Sequence, residues 1–492
     1  MTAQIDLHGA EVLYLPDQTA PITVGPSSIV GLVGAAADAA NATSARLAVG
    51  MANAALTFTA AAAGAAGNTI TLEIARPNEA SQALSVTVDG RAITVSLATD
   101  ATGEATTTGV ELLAAWALVP AAVALAAIAH TAGSTGADAV SPFALTPLAG
   151  GADEPFPLNE PTVVLNAAMA ARLGNAGSLP AAIADVWRTA GRAGATIVVV
   201  RTDDDMAANV IGTQAAGTGI YALLKAEAVT GLKPRLIAAP ALQTTAAALA
   251  LEAVADRLRA VAVVNLEGAT YAAAFAAKSS LAHAYPVWPR FRVFVAASGA
   301  VVARSNAALT IGHIARIDNE EGFAASPSNR RLLDVAGTEV PVDWQIDDRN
   351  STANLLSRAF IATAIRRGDG LYLWGNRLAD GELITHRRVR HLIGDALLNF
   401  IVDYIDRNVD VPFVEHVLDR MNSFLRTQTL AGILTGGRAW FDEAYNTADT
   451  LAANRVTFSF DLGLHAVAEQ LTFRQSVSGV YNERIIAQLT GA

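Results

Sequence analysis

The chain reads as a multidomain protein of α/β and α+β units carrying a small β-rich inserted domain, and three stretches of sequence predict this. From about 154 to 350, short continuous apolar runs alternate with helical stretches, as in a largely parallel sheet covered on both faces. Between 41 and 153 the pattern changes to alternating Thr, Val and Ile, the mark of half-buried strands. From 351 to 492, two amphipathic helices lead through a glycine-rich turn to two alternating strands. A chain of 492 residues has room for about two to four cored domains.

Taken in order, residues 1–40 form an arm and a first strand. Glu11, Val12, Leu13, Tyr14 and Leu15 make a short strand stopped by Pro16, and 28–34 is an apolar run of the buried type. Neither has a hairpin partner beside it, so each must pair elsewhere in the chain or with a neighbour's sheet edge. Strands follow at 56–59, 69–74, 84–88 and 92–97, with Asp89-Gly90 as a type I′ hairpin turn. The alanine-rich run 111–129 reads as a helix pair broken at Pro120. In the middle domain, strands are predicted at 196–200, 235–239, 261–265 and 291–296, with helices near 179–193, 218–229, 242–259 and 269–283. The last domain begins near Asn350 and contains the run Leu371-Tyr372-Leu373-Trp374-Gly375-Asn376-Arg377. Its first helix, 385–408, places Val389, Leu392, Ile393, Ala396, Leu397, Phe400, Ile401, Tyr404 and Ile405 on one face. Its second takes Asp410 as N-cap and Pro412 in the first turn, and ends at Gly432 and Gly436-Gly437. Strands close the domain at 456–462 and from Leu471.

Composition narrows the function classes. Charged residues make up only 16 % and apolar residues 52 %, against about 25 % charged in ordinary soluble domains. That points to a surface covered by other subunits, or to a general bias toward alanine. A net charge of −11 argues against a nucleic-acid partner, which calls for a basic patch. The absence of cysteine excludes disulfides, thiolate catalysis and cysteine zinc sites. No signal peptide heads the chain, and the uncharged run 112–129 is interrupted by Pro120, so no membrane insertion is expected.

Candidate chemistry is sparse. Gly217-Thr218-Gly219-Ile220-Tyr221-Ala222 has dinucleotide-fingerprint spacing but lies far beyond the end of the preceding strand, without the tight strand–turn–helix context. Asp203-Asp204-Asp205 sits at the carboxyl end of a predicted strand and could attract a divalent cation, although a solvated capping loop accounts for it as well. The basic run His386, Arg387, Arg388, Arg390 and His391 has no interleaved aromatics, which favours contact with an acidic protein surface or plain solvation over nucleic acid. No His-Glu-x-x-His, Gly-x-Ser-x-Gly or Walker loop is present. No cofactor and no catalytic residue are expected.

A resemblance runs through the whole chain outside 41–153. In order, the pieces are His8-Gly9-Ala10-Glu11-Val12, the run 29–34, Phe156-Pro157-Leu158-Asn159, Thr218-Gly219-Ile220-Tyr221-Ala222-Leu223-Leu224 and the run 233–240. Ser326-Pro327-Ser328-Asn329, Trp374-Gly375-Asn376-Arg377 and Phe473-Arg474 complete the set. Together they resemble the tail sheath proteins of contractile bacteriophages and related contractile injection particles. In short members of that family the Gly-Leu-Val-Gly segment runs almost directly into Phe-Pro-Leu-Asn. The resemblance therefore implies that 41–153 is an insertion, on the outer surface of the particle.

It further implies a structural subunit of a virion tail, assembled in the bacterial host cytoplasm as stacked hexameric rings around an inner tail tube. A baseplate and a tail terminator would be its other partners. Such a sheath contracts and drives the tube through the target envelope on energy stored during assembly. Mapped onto this chain, the resemblance implies that Glu11 to Leu15 and the last strand, with Leu471, Phe473 and Val477, insert beside Val456, Phe458 and Phe460 of neighbouring subunits. Arg420 and Arg426, off the apolar stripe of the second helix, are the candidates for facing the tube. Two rival readings remain at this point, a metal-dependent α/β enzyme using Asp203 to Asp205 and a non-contracting baseplate or tail component.

Overall fold

The computed structural model describes residues 22–191 and 194–491. They fall into two compact units, one spanning Pro26–Ile384 and the other containing 385–491. The first unit therefore takes in the stretch 351–384, which the sequence reading had placed in the last domain. The arm strand Glu11 to Leu15 lies outside the described residues.

β1 (Ile29–Ala35) is buried at every position, as a strand covered on both faces must be. It is not an isolated strand seeking a neighbour, because it lies in the interior of the main sheet. After β1 the chain leaves through Thr43 and returns at Ala152, which are bridged to each other. Between them lie β2 (Arg46–Val49), β3 (Leu56–Ala60), β4 (Thr71–Ala75), β5 (Ser85–Asp89) and β6 (Ala92–Ser96). α1 (Gly109–Ala117), α2 (Pro120–Leu125), β7 (Ala126–His130) and β8 (Phe143–Pro147) follow. They form two sheets, β2-β3-β7 and β5-β6-β4-β8, around a core of their own in which the Phe58 and Trp116 rings pack tilted, 5.2 Å between centroids. Pro120 does break the alanine-rich run, but 126–130 is strand rather than helix. The hairpin loop is Gly90-Arg91, since Asp89 pairs with Ala92. Only Gly90 of the two has positive φ, +59°, which fits a type II′ turn instead of type I′.

The main unit resumes with β9 (Pro161–Val164), α3 (Ala167–Ala171), α4 (Ser178–Ala190) and β10 (Thr196–Thr202). Next come α5 (Ala207–Ile211), a 3₁₀ segment at Gly219–Lys225, α6 (Ala226–Thr230), β11 (Leu236–Ala238) and α7 (Thr245–Leu258). β12 (Val261–Asn265), α8 (Tyr271–Lys278) and β13 (Tyr285–Val287) complete a six-stranded sheet of order β13-β12-β11-β1-β10-β9. All its pairings are parallel except β10 with β9. Alternation along the strands feeds two cores: Val261 and Val263 enter one, Ala262 and Val264 the other. The run predicted at 291–296 is β14 (Phe291–Val295), which joins β15 (Ala300–Arg304) and β16 (Gly337–Thr338) in a separate antiparallel sheet.

α9 (Asn306–Glu321), absent from the sequence reading, buries 12 of its 16 residues. The Asn265 carboxamide at the end of β12 accepts from the Ala307 N–H at 2.8 Å and from the Ser305 hydroxyl at 3.1 Å, which anchors the helix start. α9 crosses α4 so closely that a Cβ on Gly312 would lie 2.1 Å from the Val186 carbonyl oxygen. α10 (Thr352–Arg358) and the hairpin of β17 (Thr363–Arg367) with β18 (Gly370–Trp374) end the unit.

Candidate assembly surfaces

In the unit of 385–491, α11 (Ile384–Val402) buries Val389, Leu392, Ile393, Ala396 and Leu397, the first part of the stripe its periodicity predicts; Phe400 and Ile401 are half-buried, and Ile405, beyond the helix end, is exposed. The helix ends earlier than expected, since 403–410 is not helical. Arg387 and Arg388 are 8 % and 4 % exposed, whereas His386 and His391 are half-buried and Arg390 is exposed, so only part of the basic run is solvated. α12 (Val411–Leu430) begins at Asp410, whose Oδ1 accepts from the Phe413 N–H at 2.8 Å; a cap of this kind contributes about 1 kcal/mol. Val417, Met421, Phe424 and Leu425 are buried. Arg426 is exposed and Arg420 half-buried.

β19 (Gly436–Phe441), α13 (Ala448–Ala452) and β20 (Phe458–Gly463) follow. β19 was hidden from sequence by Gly436-Gly437, which read as a helix stop. The two strands pair antiparallel, Ala439 opposite Phe460. The Asn422 carboxamide on α12 donates to the Ala439 carbonyl and accepts from the Ala439 N–H, both at 2.9 Å. Both backbone groups of Ala439 thus point away from β20, and the outer edge of β19 is closed there by a side chain. In an antiparallel pair the facing residue behaves likewise. Phe460, and Phe458 and Leu462 at the same parity, therefore turn their N–H and C=O to the far side of β20. Among the described residues no strand lies on that side.

Beyond β20 the chain runs without helix or strand from 464 to 478. Leu471, Phe473 and Val477 are 76 %, 92 % and 98 % exposed. The strand expected there has no strand partner among the described residues. Val456 is half-buried just ahead of β20. A final helix that sequence reading missed, α14 (Val480–Thr490), contains no buried residue. Its signal was the spacing of Tyr481, Ile485 and Leu489.

In the unit Pro26–Ile384, the motif pieces meet in space. The Asn159 side chain accepts from the Gly219 N–H at 2.8 Å, and the Asn159 backbone N–H donates to the Arg201 carbonyl at 2.8 Å. The Gly375 N–H donates to the Ser328 hydroxyl at 3.0 Å, and the Asn329 N–H to the Leu373 carbonyl at 2.6 Å. Gly217 and Gly219 thus serve a loop tied to Asn159, with Lys225 donating to the Gly217 carbonyl at 3.2 Å. The acidic loop is also taken up internally. Asp205 accepts from the Ala35 N–H at 2.9 Å and from the Ser178 hydroxyl, while Asp204 accepts from the Met206 N–H at 2.9 Å and Asn209 at 2.8 Å. Among the described residues no group of three or more His, Cys, Asp or Glu could hold a metal ion. No described helix is long and apolar enough to cross a membrane.

Comparison with known proteins gives a consistent set of similarities. Residues 215–377 match the family model described as the phage tail sheath protein central domain. The tail sheath protein of Escherichia phage P2 is 28 % identical over 358 residues, covering 68 % of this chain and 89 % of that one. A putative prophage major tail sheath protein of Pseudomonas aeruginosa strain UCBPP-PA14 is 32 % identical over 302 residues, 58 % of this chain and 78 % of that one. In fold, the chain is similar to one from the contracted anti-feeding prophage baseplate, with a TM-score of 0.51 at 18 % identity, covering 66 % of this chain and 90 % of that one. A chain from the contracted sheath complex of the extracellular contractile injection system PVC gives 0.50 at 14 % identity, covering 66 % and 89 %.

Proposed function

The chain belongs to the phage tail sheath family and is a structural subunit of a contractile sheath, and from that premise we propose how it joins its neighbours. Copies stack in hexameric rings around an inner tail tube, held by exchanged strands. The observation that carries this reading is the pairing of an open edge with an unpaired segment. β20 turns the backbone N–H and C=O of Phe458, Phe460 and Leu462 to its far side, and a few residues later Leu471, Phe473 and Val477 stand exposed in a stretch with no strand partner among the described residues. Strand addition to an edge supplies backbone hydrogen bonds that persist while linkers bend, which suits a joint that must survive contraction. The arm residues Glu11 to Leu15 are assigned the same role. Surfaces that must part and re-form are better served by charge-complementary patches.

Deleting residues 1–16 should leave a folded, soluble subunit that forms no hollow cylinders in negative-stain microscopy; full-length cylinders from the truncated chain would overturn the exchange. Arg420 and Arg426 are assigned to the tube-facing surface, with the inner tube, baseplate and tail terminator as partners. Reversing both charges should lower the yield of sheathed tubes in a co-assembly count, and an unchanged yield removes the assignment. The module at 41–153 is read as an insertion on the outer surface. Contraction, with the tube driven through the target envelope, draws on energy stored in assembly.

A further inference from the structure

Within the unit of 385–491, the end of α11, the connection to α12 and the start of β20 enclose a groove of about 960 Å³. Tyr404, Ile405, Val409, Phe413, Leu451 and Val456 line it. Ile405, Val409 and Leu451 are 61 %, 48 % and 41 % exposed, an apolar strip beside the polar wall residues Asp406, Arg407, Asn408 and Asn454, and nothing among the described residues is seated on it. The same unit carries an apolar helix face that no described residue covers. On α14, Tyr481, Ile485 and Leu489 recur every four residues and are 67 %, 54 % and 81 % exposed. Residues at that spacing form one stripe, and amphipathic helices lay such stripes into apolar grooves as i, i+4 anchors.

We propose that α14 of one subunit seats in this groove of a second copy, and that the preceding segment 471–477 runs antiparallel to the second copy's β20. The proposal rests on the strand-exchange reading and deepens it. Three observations lead to the second copy as occupant. The sixteen residues from 464 to 479 join β20 to α14 and span up to about 50 Å when extended, so the helix can leave its own unit. A strand laid antiparallel along β20 ends beside Phe458, the strand's first residue, and Phe458 and Val456 are part of the groove wall. Val477 lies only three positions before α14 begins at Val480, so the exchanged strand delivers the helix to that end. A parallel strand would deliver it to Gly463, away from the groove.

The chain lacks cysteine, which permits a direct test in the full-length protein. Leu489→Cys and Leu451→Cys are introduced in separate chains, mixed, and treated with a short bismaleimide. A double-mass band is expected, well above that from Leu489→Cys mixed with Met51→Cys, and lost when Ile485→Arg is added to the helix-bearing chain. No band above the control overturns the proposal. A doubly substituted chain that links internally, with no double-mass band from the mixture, returns the helix to its own groove and overturns the exchange. Microscopy of the same preparations separates the two readings. Cylinders without the cross-link remove the helix exchange and leave the sheath assembly standing, whereas the cross-link without cylinders supports the helix exchange and counts against polymerisation.

Discussion

At the scale of single residues, His313 shows how buried polar groups fix the α/β unit. It lies fully buried on α9, with Nε2 2.9 Å from the Pro327 carbonyl oxygen and Nδ1 3.3 Å from Arg316 Nη2. A guanidinium only donates, so Nδ1 must accept and Nε2 must carry the proton that goes to Pro327. The neutral ring is therefore the fitted one, and burial, reinforced by the charges of Arg316 and Arg330, lowers its pKa from the ordinary 6.5 to about 4. The unfolded chain takes up that proton first as pH falls. Stability is thus full above pH 6.5, declines toward pH 4 and then levels off, a loss on the order of 3 kcal/mol. Asp185, on the packed helix α4, has the opposite sign: burial raises its carboxyl to about 6, and the stability this gives at low pH is lost as pH rises through that value. The two partly cancel in the wild type, so the test is a comparison. Urea unfolding of wild type and His313→Gln should give a stability difference that shrinks by roughly 3 kcal/mol between pH 7 and pH 4; a difference independent of pH would show that the ring does not titrate as described.

At the scale of elements, backbone parity makes a sharper prediction than side-chain chemistry. The Phe460 N–H points away from β19, so proline there leaves the β19–β20 ladder intact and removes one donor from the open edge, a position where strands tolerate proline. Phe460→Pro should keep the wild-type thermal transition within a few degrees and abolish cylinders; cylinders of normal length would show that β20 is not the receiving edge. Which elements sequence could reveal follows from where their partners lie. β1, β10 and β12 were legible because continuous apolar runs have few other uses than a doubly covered strand. α12 was legible from Asp410, Pro412 and its one-sided stripe. α9 was not, because a helix buried on nearly all sides, with Asn306, Thr310, His313 and Asp318 among its buried residues, shows no contrast between faces. β7 was lost in a run of alanines, which are too small and too helix-prone to signal a strand. For the proposed assembly surface, the aromatics at 458, 460 and 473, of which the last two are exposed, could be named from alternation. The sealing of β19 by Asn422 could not, since a contact between residues 17 apart has no local signature.

At the scale of the whole molecule, the question is how a chain accommodates about a hundred residues between two strands of one sheet. β1 occupies the interior of that sheet, and the chain leaves it before building β9 and β10 on one side. The exit and return points are held together: Thr43 N–H donates to the Ala152 carbonyl at 2.8 Å, and Ala152 N–H to the Thr43 carbonyl at 3.1 Å. The core of the excursion draws its buried residues from Ala45 to Leu148 only, so the two cores of the main sheet lose none of their members if it is removed. Excursions whose ends lie this close are tolerated because the rest of the fold sees only a closed loop. Replacing 44–151 by two glycines should therefore give a soluble chain with a single cooperative thermal transition and undiminished cylinder formation. A molten or insoluble product would mean that the module is integral to the host. Where cylinders form, their outer diameter by microscopy should be smaller than that of the full chain, with the inner bore unchanged, because the module is assigned to the outside. An unchanged outer diameter, or a changed bore, would place it against the tube or between subunits instead.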